Sequence, residues 1–231
     1  VGWNGGRYDL WHMKGVYQVH RGFETKETGD DYAVLASRID WLGPDGEPII
    51  KEVRAMGIVK LPGRGLIGVG MHSAFTAVRG DIELNGDPEH AGVQYRPANE
   101  VDAASTRYFF PKAGADPKKD RDYPWVGETY SLGGKSYSVV HLNHPMNPED
   151  TIYSAYRDYG RFGAFFVEDI PDGTTLQCRY GFLIMEGDMP AQSVIEAYFK
   201  DFANETYSGH DLDAAGEKPW MMGGAVKGKK K

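Results

Sequence analysis

A chain of 231 residues is long enough for one large domain or two small ones, and should bury about 70–75% of the surface its unfolded form exposes, so it needs no covalent staples. It carries 33 acidic against 26 basic residues, a formal net charge of -7, which argues against a nucleic-acid partner; its short lysine-rich end reads as a solvated terminus. No run of 18 apolar residues is present, so no membrane span is expected, and the single cysteine, Cys178, excludes an intrachain disulfide.

Thirty glycines, with 10 Phe and 14 Tyr, favour turns and strands over a helical bundle. Residues 1–14 read as an N-terminal arm laid over the core by its aromatics, or as a pocket lining built from Trp3, Tyr8, Trp11 and His12. The main domain is expected over 15–205, with a loose Gly- and Lys-rich tail over 206–231 on which Trp220 and Met221 dock. Residues 15–24 read as a strand. Residues 32–41 alternate, with Ala33, Leu35, Ile39 and Trp41 on one face. Gly43-Pro44-Asp45-Gly46 is a turn signal, and 49–61 returns as the hairpin partner. In that return strand Glu52 and Arg54 fall on what the pattern marks as a solvated face. Glycines at 63–68 read as a loop entering the next strand, 66–78, where Gly68, Gly70 and His72 share a side. Residues 81–84 form a short strand before the loop signal Asn85-Gly86-Asp87-Pro88.

If the next segment is extended, His90, Gly92, Gln94 and Arg96 share one face beside a gap at Gly92. Residues 111–124 are a charged, proline-bounded surface excursion. In the strand 135–142, Tyr137, Val139 and His141 face one way, with Val140, Leu142 and His144 the other. Residues 173–185 are the clearest strand, with Leu176, Cys178, Tyr180, Phe182 and Ile184 as a buried stripe; Cys178 there is packing, not a nucleophile. Asp188 is a candidate N-cap for a helix over 189–203, whose apolar stripe recurs at Val194, Tyr198 and Phe202. The expected fold is all-β: two packed, mostly antiparallel sheets in a β-sandwich, closed by one C-terminal α-helix.

Polar and aromatic side chains are densest from His141-Leu142-Asn143-His144-Pro145-Met146-Asn147-Pro148 through Tyr153, Tyr156, Arg157, Asp158, Tyr159 and Gly160, on a loop-forming stretch. No Gly-x-Ser-x-Gly, His-Glu-x-x-His or paired-cysteine zinc spacing is present, and no motif names a cofactor. His144 and His90 are the candidates for acid–base catalysis, because an imidazole titrates near pH ~6.5. Arg96, Asn147, Arg157, Tyr159, Trp125, Tyr153 and Tyr156 are the candidates for holding a substrate, since sugars are bound by aromatic faces and planar polar groups. His90, His141 and His144 are the candidate metal ligands. His90 and Arg96 are expected to face His144, Asn147 and Arg157 across a single cleft, each arginine meeting a carboxylate, a carbonyl or a bound anion.

Several of these residues, taken in order, carry a resemblance. They are Trp41 with Gly43-Pro44-Asp45-Gly46, Glu52 and Arg54; Glu89-His90-Ala91-Gly92 with Arg96; Trp125; His144-Pro145-Met146-Asn147-Pro148; Arg157, Tyr159 and Gly160; and Arg179-Tyr180. Together they resemble the bacterial family catalogued under the label "methane oxygenase PmoA", over about residues 15–205. The helical membrane subunit of particulate methane monooxygenase is a different kind of protein. The resemblance implies a β-sandwich from polysaccharide-degrading bacteria, periplasmic or secreted, and no particular reaction. Asn143 stands where that family usually has an aspartate before His-Pro. The functional expectation is a carbohydrate-processing or carbohydrate-binding protein, with a carbohydrate or small polar molecule as its ligand. The rival is a non-catalytic structural or assembly subunit, a homo-oligomer joined through its aromatic ends.

Overall fold

The computed structural model describes residues 1–61 and 67–204. In chain order the strands are β1 (Gly2–Trp3), β2 (Gly6–Arg7), β3 (Tyr17–Thr28), β4 (Tyr32–Leu42), β5 (Pro48–Lys60), β6 (Ile67–Ala77), β7 (Ile82–Leu84), β8 (Val93–Tyr95), β9 (Asp102–Phe109) and β10 (Trp125–Leu132). They continue with β11 (Lys135–Asn143), β12 (Ile152–Tyr153), β13 (Phe162–Phe165), β14 (Glu168–Ile170) and β15 (Thr175–Glu186), and end in one helix, α1 (Gln192–Ala203). The chain is therefore mostly β, its sheets are antiparallel, and a helix closes it, as the residue patterns predict.

Eight strands form one large sheet in the order β3-β4-β5-β6-β15-β11-β10-β9. Local chemistry builds its two arms. The β4–β5 link carries a turn in which Gly46 donates to the Gly43 carbonyl at 3.0 Å, with Gly46 at φ 82°. Gly133 and Gly134, at φ 60° and 79°, form a two-residue hairpin between the paired Leu132 and Lys135; positive φ at both positions matches the twist of the flanking strands. Long-range pairing then joins the arms, because β15 inserts between β6 and β11.

Two small sheets, β14-β7-β1-β2 and β12-β13-β8, cover one face of the large sheet. Under the first, Trp3, Ile82 and Ile170 pack on Ile49, Ile50 and Ala77. Under the second, Tyr153, Phe162 and Ala164 pack on Val126, Val139, Tyr180 and Phe182. Helix α1 covers part of the opposite face, where Ile195 and Phe202 meet Trp125, Val140, Leu142, Leu183 and Met185. Full burial of a side chain such as Phe202 contributes roughly 1.5–3 kcal/mol.

Four local expectations are corrected. The helix starts at Gln192 rather than 189, and Ala191, not Asp188, occupies the cap position without a side-chain hydrogen bond. The first fourteen residues are more than a draped arm, since β1 and β2 join a sheet and the Trp3 indole donates to the Arg79 carbonyl. The 90–96 segment is not one extended row: Gly92 turns at φ 75° and only Val93–Tyr95 is strand. Finally, Glu52 is 1% exposed and is not solvated, although Met56 and Ile58 further along the same strand face are. Trp220, Met221 and the glycines at 63 and 65 lie outside the described residues. Among the described residues no helix is long and apolar enough to cross a membrane.

Candidate functional site

A cavity of about 860 Å³ opens between the large sheet and the seam of the two small sheets. Strand alternation decides what its floor presents. Trp41 pairs with Ile50, Arg54 with Ser73, and Ser73 with Cys178, so these side chains share the covered face with Phe75 and Tyr180. Trp41, Arg54, Ser73, Phe75, Cys178 and Tyr180 all line the cavity. Its upper wall comes from residues 8–12, 84–87 and 90–93, with Phe165 and Phe166.

Glu52 organises the floor. Its Oε1 accepts from Arg54 Nε and Ser73 Oγ, each at 2.8 Å, and its Oε2 accepts from Arg54 Nη2 and Trp41 Nε1, each at 2.8 Å. A buried carboxylate is tolerated only when paired and hydrogen-bonded in this way. The side-on pair fixes the plane of the Arg54 guanidinium, whose side chain remains 28% exposed. Cys178 lies beside this floor, and burial pushes its thiol up to about 12, so it stays protonated and unreactive at neutral pH.

At the mouth, two imidazoles are each held by an aspartate three residues earlier. His12 Nδ1 lies 2.6 Å from Asp9 Oδ2, and His90 Nδ1 lies 3.1 Å from Asp87 Oδ1. The His12 contact holds Asp9 below the usual carboxylate range; for Asp87 the leading cause is the Glu89 backbone N–H. With Nδ1 engaged, Nε2 is the nitrogen left to each ring for a ligand. The Trp11 and His90 rings meet edge-on with centroids 5.2 Å apart, joining the N-terminal segment to residues 85–92 across the opening.

The sequence candidates separate into three places. His90 lines the cavity. Arg157, Tyr156, Tyr159 and Arg96 gather just outside it. Arg157 pairs with Glu89 through both Nε and Nη2, while the Tyr156 hydroxyl and Arg161 Nη2 reach the same carboxylate at 2.9 Å each. Arg161 and Arg96 flank the Tyr159 ring at 5.6 and 5.9 Å, and Arg96 also donates to Asn99 Oδ1. Glu89 thereby fastens the segment that carries His90. The space expected beside Gly92 is filled, because a Cβ there would run into the Ala164 carbonyl.

The third group is buried. Trp125 lies in the core under α1, and Tyr153 lies under the three-stranded sheet, where its hydroxyl meets His141 Nδ1 at 2.9 Å. Asn147, in the loop after β11, clips that loop to β15: its Nδ2 donates to the Arg179 carbonyl and its Oδ1 accepts from the Arg179 N–H, both at 2.7 Å. His144 accepts from the Met146 N–H at 3.1 Å and stacks edge-on against Phe202 of α1. Burial, then the nearby Arg179 charge, lowers its imidazole to about 4; burial lowers His141 to about 3. His144 is therefore on the helix side of the large sheet and His90 on the cavity side, so one cleft does not unite them. The expectation of a shared His90–His144 cleft is corrected by strand parity: His141 and His144 leave the end of β11 on opposite faces. Among the described residues, no group of three or more His, Cys, Asp or Glu side chains is placed to hold a metal ion.

Glu52, Arg54, Ser73, Tyr180, Asp9 and Asp87 are not among the site candidates of the sequence, although Glu52, Arg54 and Tyr180 help carry the family resemblance. Two signals are present: opposite charges at i and i+2 on a strand face that also carries the apolar Ile50, Met56 and Ile58, and the repeated Asp-x-x-His spacing at 9–12 and 87–90.

Comparison with curated proteins gives no match. Among solved structures, the chain is similar to one titled "Putative kojibiose phosphorylase from human microbiome", at 9% identity and a TM-score of 0.40. The match covers 85% of this chain and 26% of that one, so the chain spans about a quarter of that protein's length. A family model described as "Family of unknown function (DUF6807)" matches residues 2–200; that description does not carry the methane-oxygenase label, and it is to this family that the chain belongs.

Proposed function

We propose that the protein binds, and through His12 and His90 processes, a carbohydrate or similarly polyhydroxylated small molecule in the cavity between the large sheet and the seam. One observation carries this reading. In a single cavity, flat aromatic surfaces (Trp11, Trp41, Phe75) converge with polar groups already fixed by partners: Arg54 on Glu52, His12 on Asp9 and His90 on Asp87. Apolar ring faces for C–H surfaces plus a few pre-oriented polar groups is what a sugar site requires. The two aspartate-held imidazoles are the groups placed to move a proton at the mouth. Arg157, Tyr156, Tyr159 and Arg96 support the site from outside by holding residues 85–92.

The test is a glycan array followed by calorimetry on the hits, with wild type, Trp11→Ala and His90→Ala. Trp11 is 60% exposed, so its removal should leave folding intact. The expected result is a tenfold or greater loss of affinity in Trp11→Ala (about 1.4 kcal/mol) with an unchanged melting curve. Absence of any glycan ligand, or binding indifferent to both substitutions, overturns the reading.

A second reading, assembly, is favoured by one feature. Leu35, Met56, Ile58 and Ile67 are each 41–50% exposed on the same face of the large sheet. Light scattering on wild type and Ile58→Lys tests it: a dimer that the lysine dissociates supports assembly, and a monomer at all concentrations rejects it.

A further inference from the structure

We infer that the floor of this cavity selects a ligand bearing a carboxylate, so that the ligand is a sugar acid rather than a neutral sugar. This rests on the carbohydrate reading and narrows it.

The inference follows from counting acceptors. An ionised carboxylate offers about four lone-pair positions. Glu52 receives four hydrogen bonds, two on each oxygen, from Arg54 Nε, Arg54 Nη2, Trp41 Nε1 and Ser73 Oγ. None is left for a ligand hydroxyl. A neutral sugar presents hydroxyls that both donate and accept, and its donors need acceptors at the floor. The one carboxylate placed there is saturated by the protein.

What the floor does offer is donors. Arg54 spends Nε and Nη2 on Glu52, and among the described residues no hydrogen bond engages its Nη1. The side-on geometry turns that nitrogen and its two hydrogens away from Glu52, on a side chain that lines the cavity. A second, independent sign is Tyr180. It lines the same cavity, is 2% exposed, and its hydroxyl has no hydrogen-bond partner among the described residues. A buried hydroxyl without a partner is costly and calls for one. A guanidinium fixed in plane with an unspent nitrogen, lining the same cavity as an orphaned hydroxyl and over a carboxylate already saturated, suits a group that only accepts. On a sugar, that group is a carboxylate.

The Arg54–Glu52 pair is neutral as a whole, so selection is by hydrogen-bond polarity and not by excess positive charge. The carboxylates of Asp9 and Asp87, with their imidazoles, lie at the mouth and are available to the hydroxyl end of the ligand. The ligand's orientation follows: acid group inward, hydroxyls outward.

The experiment is a calorimetric comparison of glucuronate and galacturonate, their methyl esters, and the neutral parent sugars glucose and galactose, with oligosaccharides of each class alongside. Wild type and Arg54→Lys are used; lysine keeps the charge beside Glu52 but loses the planar fork. The result expected is that wild type binds the acids at least about tenfold more tightly than esters or parents, and that Arg54→Lys removes most of that preference while a melting curve shows the fold retained. Neutral sugars binding as well as the acids overturns the inference and leaves the carbohydrate reading standing, as does an acid preference that survives in Arg54→Lys. Failure of every sugar of both classes to bind removes the two together. If Arg54→Lys fails to fold, the ester comparison on wild type decides alone.

Discussion

Two buried glutamates project from the same face of the large sheet and are treated in opposite ways. Glu52, on β5, receives four hydrogen bonds from two neighbouring strands and the guanidinium on its own strand. Glu128, on β10, is 0% exposed, and neither carboxyl oxygen has a geometrically satisfactory hydrogen bond. It lies against Gly160, where a Cβ would come within 2.6 Å of Oε1, and burial raises its carboxyl to about 8, so it is protonated at neutral pH. The difference teaches what burial alone means. The first carboxylate is part of a device that aims a guanidinium at a cavity. The second is an acid that packing holds in its neutral form, with no cavity-lining role.

The largest effect should come from breaking the satisfied member. Glu52→Ala leaves Arg54, the Trp41 indole and Ser73 without their acceptor, and removing one partner of a buried pair costs about 3–5 kcal/mol. Urea unfolding should show a lower midpoint at an unchanged slope. A loss below about 1 kcal/mol would put the Glu52 network at the surface in energetic terms.

Glu128→Gln should act with the opposite sign and depend on pH. In the unfolded chain this carboxyl ionises near its ordinary value of 4.5, while in the folded protein it keeps its proton up to about 8. Between those values the unfolded state binds fewer protons, so this group makes wild type lose stability as pH rises. Below pH 4.5 variant and wild type should be alike. The variant should then gain on the order of a few kcal/mol by pH 8, read from urea midpoints across the range. Equal midpoints at every pH would mean that Glu128 is solvated or paired after all.

Smaller still is the effect of the third carboxylate, Glu89, which sits outside the cavity between Arg157 and Arg161. Glu89→Ala should lower the melting curve by less than Glu52→Ala does, since it leaves the buried Arg161 guanidinium without its carboxylate, speed hydrogen exchange over residues 86–91, and weaken cavity ligands by about threefold to tenfold through His90. Unaltered exchange would show that those residues are held by something else. Arg96→Ala should do least, with a stability change within about 0.5 kcal/mol, because its exposed side chain rests on exposed Asn99 and half-buried Tyr159. A large loss of binding there would return Arg96 to the site as a direct ligand contact.

What could be read from the residues follows from range. The alternation in 32–41 and 173–185 marks extended chain, and the strands β4 and β15 lie there, although Leu35 of the apolar face of β4 is 44% exposed and β15 buries Leu183 and Met185 on its other face as well. The helix is legible through the four-residue recurrence of Val194, Tyr198 and Phe202, of which Phe202 is buried and Val194 is 45% exposed; its start is not, because Asp188 has the character of a cap and the helix begins only at Gln192. The site was less legible. Glu52 and Arg54 look like a solvated charge pair until Trp41 and Ser73 arrive from β4 and β6, and no spacing within one strand encodes that meeting. The stretch 141–160 is dense in polar and aromatic side chains, yet Asn147 and Tyr153 use their polar atoms on Arg179 and His141. Composition counts donors and acceptors; it does not say with whom they are satisfied.

The position of β15 also sets an order of events. As the chain leaves the ribosome, β3 to β6 can pair as a meander, each with its neighbour in sequence, as soon as they emerge. Their last strand, β6, must then wait about a hundred residues for β15, whose Thr175 pairs with Thr76 and Ile184 with Ile67. Until then β6 is an open edge bearing Val69, Met71 and Phe75, a template for pairing with another nascent chain. Closing the sheet brings together segments far apart in sequence, which places this protein among slow folders and makes capture of the waiting β6 edge its most exposed moment. Truncation before residue 175 should therefore yield aggregates instead of a smaller folded domain.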